Sequence, residues 1–199
     1  MIPDRAAGAG IAAVILAAGA SMRMGAPKPL LLWRHRTFVG HVVDRAHAVG
    51  CVPIVVVTGA HPFDGAGLAP ATIVHNPRWA EGPTISLQRG LQAVGDVGAV
   101  IVATVDRPHV APSTWAALID AYRREPGAVW QPEHAERRGH PLLLPAWVLP
   151  RALGLAATAS LRDVLAMPDI AKARRVFATD DAAVLDNLDT PADLARLPV

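Results

Sequence analysis

Three apolar runs limit what this chain can become: Ile11–Ala20 (IAAVILAAGA), Val52–Ala60 (VPIVVVTGA) and Ala99–Pro108 (AVIVATVDRP). A strand with one wet face alternates apolar and polar residues. Runs without alternation are buried on both faces, as in a parallel sheet covered by helices. ATIVHN (71–76), GHPLLL (139–144) and ARRVFATD (173–180) are further candidate strands. Helices are expected over Phe38–Val49, Thr84–Val94 and Ser113–Arg123, the last capped by Ser113 after Pro112. A short closing helix should start at Thr190 as N-cap with Pro191 at its first position. Arg124–Arg138 is rich in Pro, Gly and charge and reads as a mobile excursion. The fold class is therefore α/β, a three-layer α/β/α sandwich with a mostly parallel, Rossmann-like sheet. Residues 1–10 form a flexible tail and 11–199 one domain. Ligands should sit at the carboxyl ends of the strands.

Composition removes several alternatives. The 199 residues are 52% hydrophobic, enough for a packed core, and carry a net charge of only +2, which supports neither a nucleic-acid partner nor a polybasic membrane patch. The single cysteine, Cys51, excludes an internal disulfide framework and suits a reducing, cytoplasmic compartment. No stretch reaches the roughly 18 uninterrupted apolar residues of a membrane span. The first apolar run has the size of a secretory leader, but Arg23, Gly25, Pro27 and Lys28 fit the start of a secreted chain poorly.

Chemistry-bearing residues gather where strands end. Leu16, Ala17, Ala18 and Gly19 close the first run, and Arg23 and Lys28 follow. Small residues let backbone N–H groups approach an anion, and two cations suit a triphosphate. A glycine-rich strand end beside two solvated cations would be spelled the same way, and neither G-x-x-x-x-G-K-[ST] nor G-x-G-x-x-G is present. Asp106 ends a later run. It could hold Mg²⁺, which needs few protein ligands, or cap the turn before Pro108. Asp186, Asn187 and Asp189 offer oxygen ligands before the closing helix, or turn and cap residues.

LAAGASMRMGAPKPLL (16–31) resembles the L-A-A-G-x-S-x-R-M-G-x-x-K signature of the molybdenum cofactor nucleotidyltransferase-like proteins, the MobA-like NTP transferases. VTGAH, HNPRWAEGPTISLQRGL, VDRPHV, RGHPLLL and NLDTPADL resemble later landmarks of that family in the same order, and HNPxWxxG with GHP points to its cytidylyltransferase branch. The resemblance implies the nucleotide-diphospho-sugar transferase type of fold. It implies transfer of CMP from CTP, or of another nucleotide from its NTP, to a molybdopterin-type phosphate acceptor. The cofactor would be Mg²⁺, and a molybdenum hydroxylase a possible client. On the same basis Arg23, Lys28 and Asp106 are catalytic. Leu16 to Gly19, Asn76, Gly82 and Ser86 contact the nucleotide, Asp106, Asn187 and Asp189 hold the metal, and His140 meets the acceptor. A transferase for GTP or a sugar phosphate, or a redox or chaperone offshoot such as a nicotine blue oxidoreductase-like protein, shares these landmarks. Two positions depart from the pattern: Ala192, where an acid is usual and only helix capping is at stake, and Met167-Pro168, near the acceptor side. Met22 and Met24 read as packing residues. So do the tryptophans, Trp79 excepted, which could line a pocket. His109 and His140, outside the resemblance, read as surface or turn histidines.

Overall fold

The computed structural model describes residues 10–198. The tail expected over residues 1–10 lies outside the described residues except for Gly10. The first strand, β1 (Ile11–Ala17), leads through a loop to a hairpin of β2 (Leu32–Trp33) and β3 (Arg36–Thr37), then to α1 (Phe38–Ala48). Next come β4 (Ile54–Thr58), β5 (Thr72–His75), α2 (Pro83–Val94), β6 (Ala99–Thr104) and α3 (Pro112–Arg124). β7 (Val129–His134), β8 (Arg137–Arg138) and β9 (Leu142–Pro145) precede three short helices, α4 (Leu149–Leu153), α5 (Leu161–Ala166) and α6 (Pro168–Ala173). β10 (Arg174–Ala178) and α7 (Pro191–Ala195) complete the order.

The main sheet runs β10-β7-β9-β6-β1-β4-β5, with β8 hairpinned onto β7. β1 is parallel to β4 and β6, β4 to β5, and β7 to β10, while β9 is antiparallel to both β6 and β7. This is the mostly parallel sandwich expected. Both faces of β1 are dry. Ala13, Ile15 and Ala17 pack with Val39, Val43 and Leu118 of α1 and α3. Ala12 and Val14 pack with Leu87, Leu91 and Val164 of α2 and α5. Each fully buried Val, Leu or Ile among them contributes about 2 kcal/mol, and each alanine methyl less than about 1 kcal/mol. Gly90 lets α2 lie close on the sheet: a Cβ there would sit 2.4 Å from a Val14 methyl.

Four expectations need correction. Arg124–Arg138 is not a mobile excursion. It contains β7, whose Val129, Trp130, Gln131 and Pro132 are buried, with five residues paired to β10. The polar letters hid a strand because the Gln131 side chain is satisfied inside the layer, donating to the Gly139 carbonyl (3.3 Å) and accepting from Arg174 (2.8 Å). Ser113 does not cap α3. The helix starts one residue earlier at Pro112, and the Asp181 carboxylate, 70 residues on from Ala111, accepts from the Ala111 N–H (2.8 Å) and the Thr114 hydroxyl. Met24 is buried as expected, but Met22 is 85% exposed. His109 and His140 stand at turns, yet are largely buried. The closing helix begins at Thr190 and Pro191 as expected, and its capping box uses Asp193, so Ala192 costs the cap nothing. Among the described residues no helix is long and apolar enough to cross a membrane.

Candidate active site

Three cavities meet around Leu16, at the carboxyl ends of β1 and β6. The first, about 300 Å³, is lined by Leu16, Ala17, Gly19, Arg23, Lys28, Asp106 and Asp189. The loop after β1 is pinned at Ser21, which adopts a positive φ of 52°. Its carbonyl accepts from the Met24 N–H (3.0 Å) and its hydroxyl from the Lys28 N–H (3.1 Å). That turn carries Lys28 inward, where it is buried and needs an anion. Asp189 supplies it: Lys28 Nζ lies 2.6 Å from one carboxylate oxygen and Arg23 Nη2 2.9 Å from the other. The Lys28 hydrogen bond, reinforced by both positive charges against a smaller effect of burial, holds the Asp189 carboxyl below the usual carboxylate range.

Asp189 is itself held from behind. Its N–H donates to the Asp193 carboxylate (3.0 Å), which also accepts from the Thr190 N–H and hydroxyl. Those bonds, the Thr190 hydroxyl first, lower the Asp193 carboxyl to about 2. Asp106 stands just past β6 and accepts from the Thr104 hydroxyl and from Arg107 Nη1 (3.3 Å). Its carbonyl accepts from the Leu188 N–H (2.9 Å), so residues 187–189 run alongside it.

The cavity between Ala18, Trp79, Gly82, Pro83 and Ser86 measures about 260 Å³. Gly82 sits at φ 122°, a conformation that favours glycine, and turns the chain into α2. Asn76 does not line this cavity; it stands behind the wall, donating to the Ser86 hydroxyl (2.9 Å) and accepting from the Arg78 N–H (3.0 Å). The remaining cavity, about 710 Å³, holds Thr104, Arg107, His140 and Asn187 together with four more arginines. Burial, and then the charge of Arg107, push the His140 imidazole down to about 4.

The expected site residues thus divide. Arg23, Lys28, Asp106 and Asp189 share one cavity; Leu16, Ala17, Ala18 and Gly19 stand between it and the cavity of Gly82 and Ser86. His140 and Asn187 lie in the large one, where the Asn187 side chain accepts from Arg107 Nη2. Among the described residues no group of three or more His, Cys, Asp or Glu converges as a metal cage. Thr104, Arg107 and the other arginines of the large cavity do not stand out in the sequence. Arg107 carries one signal, its place beside Asp106 at a strand end.

A mostly parallel α/β/α sandwich with cations and carboxylates collected at a small-residue loop has the architecture of a nucleotidyltransferase. Residues 13–176 match the MobA-like NTP transferase domain, and the chain belongs to that family. It is 33% identical over 151 residues to the nicotine blue oxidoreductase of Paenarthrobacter nicotinovorans, covering 70% of this chain and 73% of that one. It is 32% identical to a probable molybdenum cofactor guanylyltransferase of Deinococcus radiodurans (94% and 93% covered) and 29% identical to the molybdenum cofactor cytidylyltransferase of Escherichia coli (90% and 91%). The crystal structure of Rv0371c from Mycobacterium tuberculosis superposes with a TM-score of 0.77 at 26% identity, covering 94% of this chain and 97% of that one.

Proposed function

We propose that this protein transfers CMP from CTP to the phosphate of a molybdopterin-type acceptor, with release of pyrophosphate. The observation that carries the reading is the convergence of Lys28 and Arg23 with Asp106 and Asp189 on one cavity beside the Leu16–Gly19 loop. The acceptor phosphate attacks the α-phosphorus, a new P–O bond forms, and the bond to pyrophosphate breaks. A phosphate monoester is already an anionic nucleophile, so the protein's task is alignment and charge neutralisation. Lys28 and Arg23 offset charge on the triphosphate. Arg107 and His140 face the acceptor.

The residues fit a divalent ion. Mg²⁺ takes one or two carboxylates and keeps water; Asp106 offers one on this wall, and Asp189, whose oxygens are held by Lys28 and Arg23, would offer a second as those cations turn to phosphate. When bound, the ion would neutralise phosphate oxygens. Asn187, engaged by Arg107, would contribute only after leaving it. For the base, Ser86 and the Gly82 backbone supply polar contacts in a cavity narrowed by the Ala18 methyl, which favours a pyrimidine over a purine. A molybdenum hydroxylase is the client such a product would serve.

The test is to incubate the protein with the molybdenum cofactor, Mg²⁺ and each NTP in turn, follow pyrophosphate and identify the dinucleotide by mass. CTP should give the highest kcat/KM. Preference for GTP moves the protein to the guanylyl side; no pyrophosphate with any NTP overturns the transferase reading.

A further inference from the structure

The large cavity is lined by five arginines, Arg107, Arg137, Arg138, Arg162 and Arg174, and by no Asp or Glu. Among the described residues only Arg107 has a carboxylate partner, Asp106. Outside the cavity Arg34, Arg45, Arg89 and Arg124 also lack a carboxylate partner among the described residues, but the neighbour on β10 does not: Arg175, next to Arg174, meets Glu125 at 3.0 Å, as Arg36 meets Asp44. Arg174 instead turns inward onto Gln131, a neutral amide, and its Nε is buried without a hydrogen-bond partner. Arg138 stands close enough to disfavour its charge further. Arg137, Arg138 and Arg162 are exposed, so the cost of an unanswered charge falls on Arg174, and the guanidinium fork suits phosphate-like groups.

The backbones that carry these arginines also stand apart across the sheet. Arg107 follows β6, and Arg174 opens β10. The order β10-β7-β9-β6 separates those strands by three spacings, roughly 14 Å. One phosphate facing Arg107 leaves Arg138 and Arg174 unanswered.

We propose that this cavity takes an acceptor with two separate anionic groups, the second seated between Arg138 and Arg174 at the β10 edge. The inference rests on the reading of this cavity as the acceptor side. The ligand class is an organic phosphate carrying a further anion at its far end.

The experiment titrates the protein with α,ω-alkane bisphosphonates of increasing length and with the matching monophosphonates. One length should bind about tenfold tighter than its monophosphonate, the gain of a charge-assisted contact. Arg138→Gln and Arg174→Gln should each remove most of that advantage while monophosphonate affinity stays; Arg174→Lys should keep part of it. Arg138 is exposed, so Arg138→Gln tests the idea without risk to the core. Equal binding of mono- and bisphosphonates at every length, or an advantage that survives both glutamine variants, overturns the proposal. Nucleotidyl transfer is assayed separately. Transfer without the bisphosphonate advantage rejects the two-anion site alone. The advantage without transfer rejects the transferase reading and leaves the two-anion site standing.

Discussion

The two cavities on either side of Thr104 treat charge in opposite ways. In the smaller one Lys28 and Arg23 converge on Asp189, and Asp106 stands nearby, so both signs are present. In the larger one four arginines stand without an acid. A wall of mixed sign suits a ligand that arrives with its own cation, as a metal–triphosphate does. A wall of one sign suits a bare anion. Arg107 joins the two, touching Asp106 on one side and Asn187 on the other.

The sharpest way to break this comparison is Asp106→Asn, which keeps the side chain's shape and removes its charge. Mg²⁺-dependent pyrophosphate release should fall by about 10³-fold, while the melting temperature stays near that of the parent. Full activity would make Asp106 a turn residue and remove the mixed-sign reading. Lys28→Ala should lower kcat/KM for the NTP by about 10²-fold, measured at saturating acceptor. Unchanged kinetics there and in Arg23→Ala would empty the first cavity of its assigned ligand.

The larger cavity makes a prediction in pH. His140 stays neutral in the folded protein until about 4, whereas the unfolded chain takes up the proton near 6.5. Between those values the unfolded state binds more protons. The stabilising contribution is therefore complete above 6.5 and is lost as pH falls to about 4, by up to about 3 kcal/mol. Urea unfolding at pH 7 and 4.5 should show a smaller loss for His140→Gln than for the parent. An equal loss would mean the cavity does not resist the proton. The smallest effect is expected from Asp193→Ala, which loosens the backbone of Asp189 without touching the cavity. It should raise the NTP KM less than Lys28→Ala does; a larger rise would make α7 part of the binding wall.

Much of the frame is legible in the sequence. β1, β4 and β6 announce themselves because both their faces are apolar. β7 does not, since Gln131 and Pro132 break the run and their compensation comes from Arg174 and Gly139. The β2–β3 hairpin and helices α4 to α6 are too short to display a period. In the site, Arg23, Lys28, Asp106 and Asp189 could be picked out as types suited to phosphate and metal. That Asp189 meets Lys28 across 161 residues could not. Arg174 and Arg175 look alike in sequence; the register of β10 against β7 decides which of them faces the cavity.

The bond between Lys28 and Asp189 also sets an order of events. A nascent chain extended to Ala178 already contains every strand of the sheet, yet it lacks the only carboxylate within reach of Lys28 among the described ion pairs. An ammonium group does not remain buried without its counter-charge. The loop after β1, made among the first residues, must therefore wait for nearly the last ones before it can settle. In Asp189→Ala, hydrogen exchange should find the sheet protected and residues 21–28 open. Protection of that loop in the variant would show that it forms without Asp189.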